Sequence, residues 1–86
     1  MFQLVIKPAA EKLMDRLPGK VRQRVVQALA ELRDEPRPSG CAKLAGSEEL
    51  WRIRVGQYRV VYTIRQSQLL VVVLRIGQRG GVYRGM

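Results

Sequence analysis

"LWRIRVGQYRVVYTIRQSQLLVVVLRI", Leu50 to Ile76, decides how this chain folds. Two short polar breaks, Gly56-Gln57 and Gln66-Ser67-Gln68, divide it into three runs rich in β-branched and aliphatic residues. These read as strands over Leu50–Val55, Tyr58–Arg65 and Leu69–Ile76. Connections this short join only antiparallel neighbours. With Gly56-Gln57 as a two-residue turn, pairing runs outward as Val55 with Tyr58, Arg54 with Arg59, Ile53 with Val60, Arg52 with Val61 and Trp51 with Tyr62. Alternation then gives one face Trp51, Ile53, Val55, Tyr58, Val60 and Tyr62, an apolar layer that must be covered. The other face takes Arg52, Arg54 and Arg59.

The cover lies upstream. Phe2, Leu4 and Ile6 alternate with Gln3, Val5 and Lys7, a short strand that Pro8 ends. "PAAEKLMDRL", Pro8 to Leu17, reads as a helix with proline in its first turn and Pro18-Gly19 as its break. From Lys20 to about Glu35, Val21, Val25, Leu29 and Leu32, with Ala28 beside them, recur at helical spacing, and Arg22, Gln23, Arg33 and Asp34 take the other side. Pro36 and Pro38 stop that helix. "PRPSGCAKLAGSEE" reads as a connecting loop with Leu44 as its anchor. The expected fold is α+β, in the order β-α-α-β-β-β, with a helical hairpin packed on one face of a small, mainly antiparallel sheet.

Composition sets the bounds. Eighty-six residues, 47% of them hydrophobic, suffice for a single domain over 1–86 with one modest core. The longest apolar run, Leu69 to Leu74, is far too short to span a membrane, and the N-terminus has no basic stretch followed by a long apolar one. A soluble, cytoplasmic protein with no membrane partner is expected. The single cysteine, Cys41, cannot form an internal disulfide and reads as a small loop or core residue.

Charge is distributed unevenly. The formal net charge is +9, yet all seven acidic residues precede Leu50, where nine Lys and Arg leave a net of only +2. From Leu50 onward there are seven arginines and no carboxylate. Charged faces that serve solubility mix signs; this one does not, and it should attract polyanions. Arg54 opposite Arg59 costs roughly 0.2–1 kcal/mol as a like-charge cross-strand pair. Convergent guanidinium groups on one pleat make a phosphate clamp, which gives that cost a use.

The chemistry open to such a surface is narrow. Without a single histidine, a His-based triad, a His metal site and a paired-histidine ribonuclease are excluded. The absence of late carboxylates argues against an acidic metal site beside the arginines, so neither metal nor cofactor is expected. RNA, however, carries its own nucleophile. A protein that aligns the 2′-hydroxyl, stabilises the phosphorane and assists proton movement can cleave it by electrostatics.

"LWRIRVGQYRVVYTI", followed by an apolar strand and "RIGQRGGVYR", resembles the RelE branch of the RelE/ParE toxins of toxin–antitoxin systems. The likeness extends through the helical hairpin and the "KLAG" at Lys43 to Gly46. Its most specific parts are the G-x-YR-V-x-Y stretch from Gly56 and the closing G-x-R…VY. The resemblance implies a ribosome-dependent endoribonuclease that cuts mRNA in the A site, with a cognate antitoxin protein, the ribosome and mRNA as partners. It also implies roles. Arg52, Arg54 and Arg59 hold the RNA backbone, with Arg59 counted among the catalytic residues; Arg79 aids the leaving group or scissile phosphate, and Tyr83 sits by the nucleophile.

Two positions depart from the family pattern. Efficient members commonly carry lysine where Arg52 and Arg54 stand, and arginine cannot give up a proton. Proton acceptance then falls to Tyr83, whose phenol, ordinarily near pKa ~10, would be lowered by surrounding cations. Gln78 stands where relatives often have His or Lys, so it can bind substrate but not shuttle protons. Intrinsic activity is therefore expected to be weak without the ribosome. Gly80-Gly81 can turn Tyr83 toward the arginines. Lys43 and Arg84 are further phosphate contacts, and Lys20, Arg22 and Arg24 are unselective ones. Two other readings stay open: a ParE-like inhibitor that binds DNA gyrase without catalysis, and a catalytically weak nucleic-acid-binding module.

Overall fold

The structure, a computed structural model, describes residues 1–44, 46 and 49–78. Its elements run β1 (Gln3–Ile6), α1 (Pro8–Arg16), α2 (Gly19–Asp34), β2 (Ala42–Lys43), β3 (Leu50–Val55), β4 (Tyr58–Arg65) and β5 (Leu70–Gln78), with a 3-10 turn at Gln66–Gln68 before β5. They build a five-stranded sheet in the order β1-β5-β4-β3-β2. All pairs are antiparallel except β1 with β5, which is parallel. After the two helices the chain enters β2 running opposite to β1, and the three successive antiparallel pairings that follow leave β5 running the same way as β1.

The β3–β4 register is the one read from the turn, from Val55 opposite Tyr58 to Trp51 opposite Tyr62. Gly56 has φ 60° whereas Gln57 is not among the positive-φ residues, the pattern of a type II′ hairpin turn. Three features differ from the sequence reading. Ala42–Lys43, expected within a loop, pairs with Arg52 and Trp51 as an edge strand, because β3 offers an open hydrogen-bonding edge there. Leu69 belongs to the turn, in the left-handed region with φ 50° and ψ 53°, so β5 starts one residue later and continues to Gln78. And β5 contains a bulge: Tyr62 faces Val73 but Val61 faces Arg75, so Leu74 is the extra residue.

The helices cover one face. Ala10 and Met14 from α1, Leu17 just past its end, and Val25, Leu29 and Leu32 from α2 are buried against Ile53, Val55, Val60, Tyr62, Val71, Val73 and Ile76. Spacings of three and four residues place each helical set on one stripe. Pro8 lies in the first turn of α1, where its missing N–H costs nothing. Phe2 N–H donates to Arg33 O at 2.7 Å, and Lys7 N–H to Val73 O at 2.9 Å, fastening both ends of β1.

Tyr62 is fully buried, and its hydroxyl donates to Pro36 O at 2.7 Å, tying the end of the helical hairpin to the central strand. Burial, then the adjacent Cys41 thiol, push its phenol well above the ordinary tyrosine range. It therefore stays protonated and structural. Tyr62→Phe is expected to cost about 1–3 kcal/mol in urea unfolding, since Pro36 O loses its donor inside the core. The raised phenol also sets a sign: its contribution is complete below the unfolded pKa near ~10 and is lost as pH rises above it, because the unfolded chain releases that proton first. The Phe variant should lose less stability than wild type over that alkaline range.

Candidate nucleic-acid interface

The uncovered face of the sheet carries the arginines. Reading across it, one row runs Arg75, Val61, Arg52 and Ala42, and the next Gly77, Arg59 and Arg54. Val61 is fully buried although no helix covers this side. The aliphatic stems of Arg52 and Arg75, its cross-strand neighbours, can shield it while their charged ends reach outward. Arg75 was not among the expected site residues. Simple alternation from Val71 and Val73 would have placed it in the core, and the bulge at Leu74 turns it to the arginine face and Ile76 inward.

Arg59 lies at the centre, directly opposite Arg54 on β3 and Gly77 on β5. It is only 8% exposed, whereas Arg54 is exposed. Its guanidinium donates one long hydrogen bond, Nη1 to Tyr58 O at 3.5 Å. Among the described residues no ion pair involves it, whereas Arg22 pairs with Asp15 at 3.6 Å, largely exposed. Because no fully buried side-chain donor among the described residues lacks a partner, the N–H groups of Arg59 without a partner among those residues retain some access to solvent. That access is a cavity of about 400 Å³ lined by Arg54, Gly56, Gln57, Arg59 and Gln78. A buried guanidinium without a counter-charge is unfavourable for the fold, by several kcal/mol for an isolated ion. An anion entering this cavity would offset that cost.

A second cavity, about 430 Å³, lies along β3 beside α2 and includes Arg52, Arg54, Ser39, Gly40 and Glu31. Glu31 is exposed and makes no ion pair with either arginine. A third, about 510 Å³, sits between α1 and the edge of β5, lined by Ala9, Leu13, Tyr58, Arg75, Ile76, Gly77 and Gln78. Gln78 and Arg75 thus border both the cationic face and this more apolar groove.

Of the expected contacts, Arg52, Arg54, Arg59 and Gln78 come together. Lys43 does not join them. It pairs with Trp51 on the helix-covered side, with its Nζ 5.4 Å from the Trp51 ring centroid, and Arg37 Cζ lies 5.2 Å from the same centroid. These cations are held by the ring quadrupole at the β2 edge. Arg79, Tyr83 and Arg84 lie outside the described residues; β5 ends at Gln78 on the rim of the arginine cavity. Among the described residues there is no group of three or more His, Cys, Asp or Glu able to hold a metal, and no helix is long and apolar enough to cross a membrane.

Comparison with known proteins agrees with this geometry. RelE1 of Methanocaldococcus jannaschii is 26% identical over 96% of both chains. The archaeal RelE–RelB complex from Pyrococcus horikoshii OT3 contains a chain that superposes with a TM-score of 0.82 at 27% identity, covering 92% of this chain and 96% of that one. The intact RelBE toxin–antitoxin complex of E. coli gives 0.80 at 26% identity, covering 91% and 96%. The sequence profile described as the ParE toxin of type II toxin–antitoxin systems, parDE, matches residues 4–83. This chain belongs to that toxin family, as a RelE-like toxin of a type II toxin–antitoxin system.

Proposed function

We propose that this toxin cleaves mRNA on the ribosome, in the A site, by promoting attack of the RNA 2′-hydroxyl on the adjacent phosphorus. The observation that carries the reading is Arg59: a buried arginine with no carboxylate partner among the described residues, opposite a second arginine and open to a cavity. Arg54 and Arg59 would hold the phosphate oxygens as the dianionic phosphorane forms, and Arg52 would hold the flanking backbone. Tyr83, as its phenolate, takes the 2′-hydroxyl proton as the 2′-oxygen bonds to phosphorus. The bond to the 5′-oxygen breaks, Arg79 stabilises the charge on that oxygen, and solvent protonates it. The products are a 2′,3′-cyclic phosphate and a 5′-hydroxyl.

Gln78 contributes hydrogen bonds and Arg84 a further phosphate contact; no cofactor is required. Alignment of the message by the ribosome supplies the orientation that this histidine-free site lacks. The toxin acts in the cytoplasm, where translation occurs. A cognate antitoxin silences it, consistent with the RelE–RelB assemblies to which the fold is similar. An acidic, partly disordered segment suits the cationic face.

Inducing the protein in a bacterial host and mapping mRNA 5′ ends tests this. Codon-phased cuts confined to translated regions are expected, and Tyr83→Phe should reduce them by roughly 10²-fold or more, the scale of general acid–base contributions. Intact mRNA together with broken or tangled chromosomal DNA would favour gyrase as the target instead.

A further inference from the structure

We infer that Arg24 of α2 is an additional RNA-backbone contact, and that the bound strand passes from the arginine face around the β3–β4 turn onto the helix. The inference rests on the nucleic-acid reading above. Arg24 is exposed, and its guanidinium lies beside the turn: Nη1 is 3.5 Å, and Cζ and Nη2 3.9 Å, from where a β-carbon on Gly56 would stand. Gly56 in turn lines the cavity that holds Arg54, Gln57, Arg59 and Gln78. One glycine therefore separates the cationic cavity from a further guanidinium on the helical layer.

Nothing within the helix neutralises Arg24. Its neighbours three and four positions away are Lys20, Val21, Gln27 and Ala28, and no ion pair involves it among the described residues. Arg22, two residues earlier, is paired with Asp15 at 3.6 Å. The two helix arginines thus differ: one has its counter-ion within the fold, and the other is held without one beside the cavity of Arg59. A planar fork at that rim suits a phosphodiester, and its continuity with Arg54 and Arg59 favours an RNA strand over an acidic peptide, which would not need to follow the turn.

The test is binding of a short, fluorescein-labelled single-stranded RNA to the purified toxin over a series of KCl concentrations. Each phosphate contact on a single strand contributes about 0.7 to the slope of log affinity against log salt. Arg24→Gln should lower that slope by about 0.7, whereas Arg24→Lys should leave it unchanged. A role confined to packing on the turn would shift the thermal midpoint without moving the slope. An unchanged slope in Arg24→Gln overturns the inference, as does a wild type that binds no RNA. Weakened capture of a polyglutamate peptide with an unchanged RNA slope would assign Arg24 to a protein partner and equally overturn it. The outcomes separate from those of the proposed function: a slope change without cleavage on ribosomes overturns the enzyme reading alone, and cleavage without a slope change overturns Arg24 alone.

Discussion

Replacing Arg59 with alanine is expected to slow ribosome-dependent cleavage by roughly 10²–10³-fold, the loss typical of removing one preorganised donor to a developing oxyanion. Exposed arginines on the same face should matter less, because water already solvates them and screens their field. Arg59 differs in being buried on the central strand, where its charge acts through a less polar medium. The same burial predicts that the variant stays folded. Alanine removes packing, but it also removes a desolvated charge that has no carboxylate partner among the described residues, and these changes oppose one another. Single-turnover cleavage on programmed ribosomes, measured beside urea unfolding of the same preparation, should show a large rate loss with a stability change within about 1 kcal/mol. A variant that cleaves normally would remove Arg59 from the mechanism.

Leu32→Ala is expected to have the largest effect on stability, about 2–5 kcal/mol. Leu32 is completely buried, in the last full turns of α2, within the cluster that joins both helices to the sheet. The loss combines the transfer free energy of the deleted atoms with a cavity that neighbouring rigid strands cannot close. For a domain of this size, whose total stability is on the order of 5–10 kcal/mol, that is a large fraction. Urea unfolding should show a lower midpoint with an unchanged slope. Val26→Ala, six residues earlier in the same helix but 49% exposed, should change stability by no more than about 0.5 kcal/mol. Similar losses in both variants would contradict the assignment of the apolar stripe.

How legible these features were in the sequence depended on how local their causes are. Gly56-Gln57 fixes the β3–β4 pairing because a two-residue turn leaves one register, and the Arg54–Arg59 pair follows from it. Val25, Leu29 and Leu32 announce their buried stripe by spacing. Ala42–Lys43 could not be read as a strand, since two residues carry no alternation and their pairing depends on the exposed edge of β3. The bulge at Leu74 was signalled only indirectly, by an arginine at a position where alternation demanded an apolar residue. Lys43 looked like a phosphate contact by charge, and its pairing with Trp51 puts it on the other side of the sheet. Burial of Arg59 was invisible to alternation, which marks a residue as facing away from the helices but not as shielded by its neighbours. The approach of Arg24 to Gly56 joins segments distant in sequence and follows only from how α2 crosses the hairpin.

The central claim, that this arginine face promotes attack by the RNA's own 2′-hydroxyl, is tested most directly with a ribosome-bound message carrying a single 2′-deoxy nucleotide on the 5′ side of the scissile phosphate in the A-site codon. The all-ribose message should be cut there by the purified toxin, leaving a 2′,3′-cyclic phosphate, and the 2′-deoxy message should remain intact at that bond. Cleavage of both messages, or of neither while the toxin arrests DNA gyrase, would contradict it.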